Sequence, residues 1–309
     1  MTEQLKKEIA EAAKGYIQDK GISSNELARR SDINQAYLSQ ILNMNHEKIA
    51  DKWFHSLAKA IGFPIDVIYW EHVPTPQYKA IITYLEEARE TARNRILICE
   101  TGSGKTYTID RYVTTKPLGT FKVTVSSLHS IHILIEDIMN AIGLEPVGTP
   151  VTRLRNIAHK LSMFQLEGMK PLLIIDECEN MKTTAFGLIK SLYDHLEGLC
   201  PVVLIGTSQI KQRITNMLKL NKVGIPQFQR RFAAGERYLP VIDKSFRLFL
   251  DGKVENKELR DYLRRICNNY GELHDYLEYA MREADRLGQE LTYGLFCEIH
   301  GIKDTRTRL

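Results

Sequence analysis

The chain has 309 residues, 43% hydrophobic and 26% charged, a composition that fits two or three compact globular units with enough length for a large core. No apolar run approaches the roughly 20 residues that cross a bilayer, and the N-terminal MTEQLKKEIAEAAKGY is charged throughout, so the expectation is a cytoplasmic protein with no membrane partner. The formal net charge of +4 is too mild to point to a nucleic acid by itself. Its distribution is more informative. Residues 1–70 carry nine Lys/Arg and nine Asp/Glu, whereas residues 205–247 carry nine Lys/Arg against only Glu236 and Asp243, a stretch expected to meet anions. The five cysteines are scattered without a C-x-x-C pair, which suggests neither a zinc site nor a disulfide framework.

Residues 3–20 read as an amphipathic helix ended by Gly21. A short helix from Ser24 to Arg30, capped by Ser23 or Ser24, a tight turn over 31–34 and a second helix from Gln35 to Asn43 follow. Leu27, Ala28, Ile33, Leu38 and Ile41 supply the apolar contacts of such a pair. This segment, residues 20–62, resembles the helix-turn-helix of the Cro-like repressor family. The resemblance implies that Asn34, Gln35, Tyr37, Ser39 and Gln40 project towards a DNA major groove. Residues 51–62 add a packing helix with Trp53 and Phe54. The prolines at 64, 74 and 76 punctuate the next stretch and mark a domain boundary. The expected division is a helix-turn-helix domain over 1–70, a linker over 71–76, a nucleotide-binding core over 77–242, a helical lid over 243–302 and a basic tail over 303–309.

In the core, a helix over 77–92 leads to the strand Arg95-Ile96-Leu97-Ile98, then Cys99-Glu100-Thr101-Gly102-Ser103-Gly104-Lys105-Thr106. A buried strand that breaks into a glycine-rich turn and then a helix gathers backbone N–H groups and a helix N-terminus around one point. That is a P-loop, although Cys99 stands where the usual pattern has its first glycine. Glu100 to Thr106 would cradle the phosphates of ATP, Lys105 reaching the β- and γ-phosphates and Thr106 ligating Mg²⁺. Helices over 105–114, 130–142, 151–167, 182–197 and 208–220 alternate with strands over 120–125, 172–175 and 202–205, which predicts a mostly parallel α/β sheet covered on both faces. The strand Leu172–Ile175 ends in Asp176 and Glu177. Asp176 suits the place beside Mg²⁺, and Glu177 suits the base that orients and deprotonates a water.

Val202-Val203-Leu204-Ile205-Gly206-Thr207 is a third buried strand, expected between the other two, with Thr207 at its polar tip. P-loop, D-E strand, polar-tipped strand and helical lid, in that order, resemble the AAA+ family. The resemblance implies that an arginine from a neighbouring subunit reaches the γ-phosphate, with Arg230 the first candidate and Arg231 the second. It also places His274 where family members carry a phosphate-contacting lid arginine. Within AAA+ proteins, the N-terminal helix-turn-helix, D-E-C-E-N-M and I-G-T-S-Q-I together resemble the family of phage Mu transposition protein B and the transposon target-selector ATPases. That resemblance implies a homo-oligomeric filament on double-stranded DNA in the cytoplasm of a bacterial host, ATP hydrolysis stimulated by a transposase, and backbone contacts from Lys122, Arg153, Arg155 and Lys160. A helicase loader and an ATP-gated transcriptional regulator are the alternatives.

Overall fold

The computed structural model describes residues 3–45, 49–63 and 69–303, so the expected tail from 304 onward and Pro64 lie outside the described residues. The chain divides into two compact units, Met1–Tyr69 and Trp70–Leu309. The first is all-helical: α1 (Glu3–Lys20), α2 (Ser24–Arg30), α3 (Gln35–Leu42) and α4 (Asp51–Ile61). The first two turns have local causes. Gly21 takes φ +61° after α1, Ser23 accepts from Glu26 N–H to start α2, and Asn34 accepts from Ala36 N–H to start α3. Ile9, Leu27, Leu38, Ile41, Phe54 and Leu57 close one core, and the buried Lys6 links α1 to Asp51 at 3.1 Å.

The second unit begins with α5 (Pro76–Thr91), β1 (Arg95–Ile98), α6 (Lys105–Thr115), β2 (Thr120–Thr124), α7 (Ile131–Ala141), α8 (Pro150–Leu166) and β3 (Leu172–Asp176). It continues with α9 (Thr183–Leu196), β4 (Val202–Gly206), α10 (Ser208–Lys219), α11 (Ile225–Phe232) and β5 (Glu236–Tyr238). Last come α12 (Arg247–Leu250), α13 (Lys257–Ile266), α14 (Tyr270–Leu287) and α15 (Tyr293–His300). Pro76 sits in the first turn of α5, behind the Thr75 cap, where its missing N–H costs nothing.

The five strands are parallel in the order β2-β3-β4-β1-β5, so β4 lies between the strands that carry the P-loop and Asp176, as expected. Alternation along the strands feeds two core layers. Ile96, Ile98, Leu173, Ile175, Val202 and Leu204 face α7 to α11, while Leu97, Leu172, Ile174, Val203 and Ile205 face Ile81, Leu85, Ile109 and Tyr112 of α5 and α6. Helices on both faces explain why the strands read as continuous apolar runs. β5 is the strand that the sequence pattern does not reveal, because Glu236-Arg237-Tyr238 carries no apolar run; it is recruited at the sheet edge by pairing with Ile96–Ile98. A third cluster, with Phe246, Leu250, Leu263, Leu273 and Phe296, organises the helices after residue 242, and Trp70 and Val73 pack against it.

Candidate functional site

All strands of the sheet run the same way, so the C-terminal ends of β1, β3 and β4 lie along one edge, with Ile98 paired to Gly206 and Ile175 to Leu204. That edge is where an open α/β sheet offers a crevice. The P-loop leaves β1 here. Gly102 and Gly104 take φ +69° and +80°, values that favour glycine. A Cβ on Gly102 would lie 2.1 Å from Asn269 Oδ1, whereas a Cβ on Gly104 would meet nothing within 4 Å. The turn is therefore locked on one side and open on the other. Asn269 caps α14 through Glu272 N–H, and Gly271 N–H donates to Gly102 O at 3.2 Å. Glu100 accepts from Ile242 N–H at 3.1 Å, a second tie between the loop and the segment that leads to the lid.

A cavity of about 550 Å³ opens between this loop and the helices after residue 242. Gly102, Ser103, Gly104, Lys105 and Thr106 form one wall, and His274 reaches the other; Glu100 and Thr101 are not among its lining residues. The sequence reading missed the aromatic part of the wall, Trp70, His72, Tyr78, Tyr107, Phe249 and Tyr270. Trp70 stacks on Phe249 (centroids 4.7 Å, 11° between planes) and takes the His274 ring edge-on, while Tyr107 OH meets His72 Nδ1 at 3.1 Å. Burial first, and then the charge of Arg111, lower the pKa of His72, favouring the neutral ring. The available signal was the density of rings between Tyr69 and Tyr78, which the two prolines disguised as a linker; Trp70, Glu71, His72, Val73 and Thr75 instead line the cavity.

The residues present suit a magnesium nucleotide. Ser103 Oγ is buried without a hydrogen-bond partner, a donor aimed at nothing in the protein. Thr106 Oγ1 donates to Asp176 Oδ2 at 3.0 Å, bringing together a hydroxyl and a carboxylate, hard oxygen donors of the kind Mg²⁺ takes. Among the described residues no group of three or more His, Cys, Asp or Glu could hold a metal, so further ligands would come from phosphate and water. Lys105 Nζ stands 4.0 Å from Glu177 Oε1. Glu177 has φ +54°, the left-handed region, which costs a non-glycine residue roughly 1–2 kcal/mol. Its N–H donates to Asp176 Oδ1 at 2.9 Å, and Asn180 Nδ2 holds both Glu177 Oε2 (3.3 Å) and Val125 O (3.0 Å). These bonds hold the strained Glu177 in place.

The other expected residues are distributed differently. Thr207 caps α10, its hydroxyl accepting from Gln209 N–H at 3.4 Å, at the end of the strand between the two motif strands. Arg230 and Arg231 both lie on α11, away from the lining of the chain's own cavity. Arg231 is held by Asp194 and lies over Tyr193, whereas Arg230 is exposed and has no ion pair or hydrogen bond among the described residues. The basic stretch over 205–247 is partly consumed internally: Lys211 pairs with Glu236 and Arg213 donates to Glu179 O.

The DNA candidates differ in what holds them. Asn34 uses its side-chain oxygen to cap α3 instead of projecting, while Gln35, Tyr37, Ser39 and Gln40 are exposed. Arg153 and Arg155, two apart on α8, point to different sides, as helical geometry requires; Arg153 pairs with Glu136 at 2.7 Å and Arg155 is exposed. Lys160 lies over Phe164. Lys122 does not join them, being committed to Asp110 and Asp176.

Residues 88–214 match the AAA domain family, a span that contains the P-loop and both D-E carboxylates. The fold is that of an AAA+ P-loop NTPase. Similar solved structures include the ORC2 protein of Aeropyrum pernix in ADPNP–ADP complexes (TM-score 0.53, 16% identity, 77% of this chain and 70% of that one). The ORC1 protein of the same organism in complex with DNA is also similar (TM-score 0.51, 15% identity, 77% of this chain and 66%, just under two thirds, of that one). No curated protein sequence matches. No helix among the described residues is long and apolar enough to cross a membrane.

Proposed function

We propose that the chain is a Mg²⁺-dependent ATPase that assembles on double-stranded DNA in the ATP state, recruits a transposase there, and is released by hydrolysis. The observation that carries the ATPase is the convergence, at one sheet edge, of an open P-loop with an orphaned Ser103 hydroxyl, the Thr106–Asp176 pair and a restrained Glu177. Lys105 and the loop N–H groups would hold the phosphates, and the ring wall of Trp70, His72 and Tyr107 would hold the base. Bound Mg²⁺ would supply charge neutralisation between the β- and γ-phosphates. Glu177 would orient the attacking water and take its proton, with Asn180 keeping the carboxylate in place. An exposed, unpaired Arg230 suits a finger offered to a neighbouring copy, which makes hydrolysis depend on assembly.

The DNA half of the reading is supported by the similar ORC1 structure, which was solved in complex with DNA, and by the exposed side chains Gln35, Tyr37, Ser39 and Gln40 on α3. The transposase rests on the motif resemblance to the target-selector ATPases. The likeness to ORC proteins favours a second reading, a helicase-loader-type ATPase with the same core and a different partner. Electron microscopy of the protein with duplex DNA, Mg²⁺ and a non-hydrolysable ATP analogue separates them. Continuous assemblies on random-sequence duplex support target selection. Preference for single strands supports helicase loading, and particles that stay monomeric on duplex contradict both assembly readings.

A further inference from the structure

Asp176 is 0% exposed, and a carboxylate out of water needs a countercharge. Two neutral donors reach it, the Thr106 hydroxyl on Oδ2 and the Glu177 N–H on Oδ1. Neither carries charge. Among the described residues, the one cation within 4 Å is Lys122, whose Nζ stands 3.8 Å from Oδ2. Lys105 is paired instead with Glu177. Lys122 comes from β2, the strand hydrogen-bonded to β3, and its side chain is only 16% exposed, so its stem is fixed by the sheet. Its nearer partner is Asp110 on α6, 2.5 Å away, whose side chain is 59% exposed. The ammonium thus stands between a buried carboxylate and an exposed one, beside the very oxygen that Thr106 touches.

We propose that Lys122 is a resident countercharge at the metal position, shared between Asp110 and Asp176 when no metal is bound and kept by Asp110 alone when Mg²⁺ enters. The inference rests on the reading of Asp176 as the carboxylate beside Mg²⁺. An ammonium and a dication that share one carboxylate oxygen repel each other at a few ångströms, in a site too dry to screen them. Lys122 therefore lowers metal affinity, and Asp110 restores it by keeping the ammonium once Asp176 has turned to the metal. The buried Asp176 is never left alone, and the site exchanges one cation for another.

The test uses the full chain with ADP and Mn²⁺, free Mn²⁺ being read from its electron paramagnetic resonance signal. Lys122→Gln removes the charge at similar length and is expected to tighten Mn²⁺ in the ADP complex about tenfold. Lys122→Arg keeps the charge and should stay within about threefold of wild type. Asp110→Asn should weaken Mn²⁺ in the wild-type background and have no effect beside Lys122→Gln, because it acts through the lysine. Equal Mn²⁺ affinity in wild type and Lys122→Gln overturns the proposal, and so does an Asp110→Asn effect that persists without the lysine. If Lys122→Gln fails to fold, Asp110→Asn decides alone, unchanged Mn²⁺ affinity overturning the proposal. Wild-type protein that binds no ADP overturns the nucleotide-site reading itself, an outcome distinct from ADP binding with an indifferent Lys122.

Discussion

At the scale of single residues, the site separates groups that hold a ligand from groups that hold other residues. Asn180 belongs to the second kind, since its amide bridges Glu177 and the Val125 carbonyl. Asn180→Ala should lower turnover by about tenfold while nucleotide affinity stays unchanged, the pattern of a lost positioning contact; a rise in the nucleotide dissociation constant with normal turnover would place Asn180 in binding instead. The cysteines give a second check. All five are buried, and burial pushes the thiols of Cys99, Cys200 and Cys267 up to about 12 and that of Cys178 well above its ordinary value. A thiol reagent at pH 8 should find no fast-reacting cysteine in the native protein and five after unfolding in guanidinium. Fast reaction at Cys99 would show that the strand end beneath the P-loop opens.

At the scale of elements, the P-loop and the first turn of α14 act as one device, because Asn269 fills the space where a Gly102 side chain would go. Gly102→Ala should therefore push α14 away and weaken nucleotide binding by tenfold or more, beyond the roughly 1 kcal/mol that a φ of +69° costs alanine; isothermal titration with ADP measures it, and unchanged affinity would show that loop and lid are not coupled here. On the far side of the sheet, Phe228 is fully buried against Phe186 and Phe232 and seats α11. Phe228→Ala should cost about 3–5 kcal/mol in denaturant unfolding. The strands β1, β3 and β4 were legible in the sequence because each is buried on both faces and so reads as an unbroken apolar run. β5 was not, since an edge strand held by backbone pairing needs no apolar side chains. The P-loop and Asp176-Glu177 were legible because turn geometry and phosphate chemistry dictate residue types at fixed spacing. The ring wall was legible only in part, because Trp70, His72 and Tyr78 lie close in sequence whereas Tyr107 and Phe249 join them only through the fold. The roles of Lys122 and Arg153 were hidden for the same reason, a lysine or arginine in sequence carrying no sign of the acid that the fold places beside it.

At the scale of the whole molecule, the proposed finger for the transferred phosphate would come from a neighbouring copy, and Arg230 is exposed with no ion pair or hydrogen bond among the described residues. Turnover per subunit should rise with protein concentration in wild type and stay flat in Arg230→Ala. Arg231→Ala should instead lose stability of ~1 kcal/mol, since its partly exposed pair with Asp194 is internal. The reverse assignment would make Arg231 the finger. The most direct test of the account is a single-turnover experiment with γ-labelled ATP and Mg²⁺, following bound nucleotide and released phosphate together. Wild type should bind and release phosphate, Glu177→Gln should bind and release it at least a hundredfold more slowly, and Lys105→Ala should not bind at all. Binding by Lys105→Ala equal to that of wild type, or normal phosphate release from Glu177→Gln, would contradict the account.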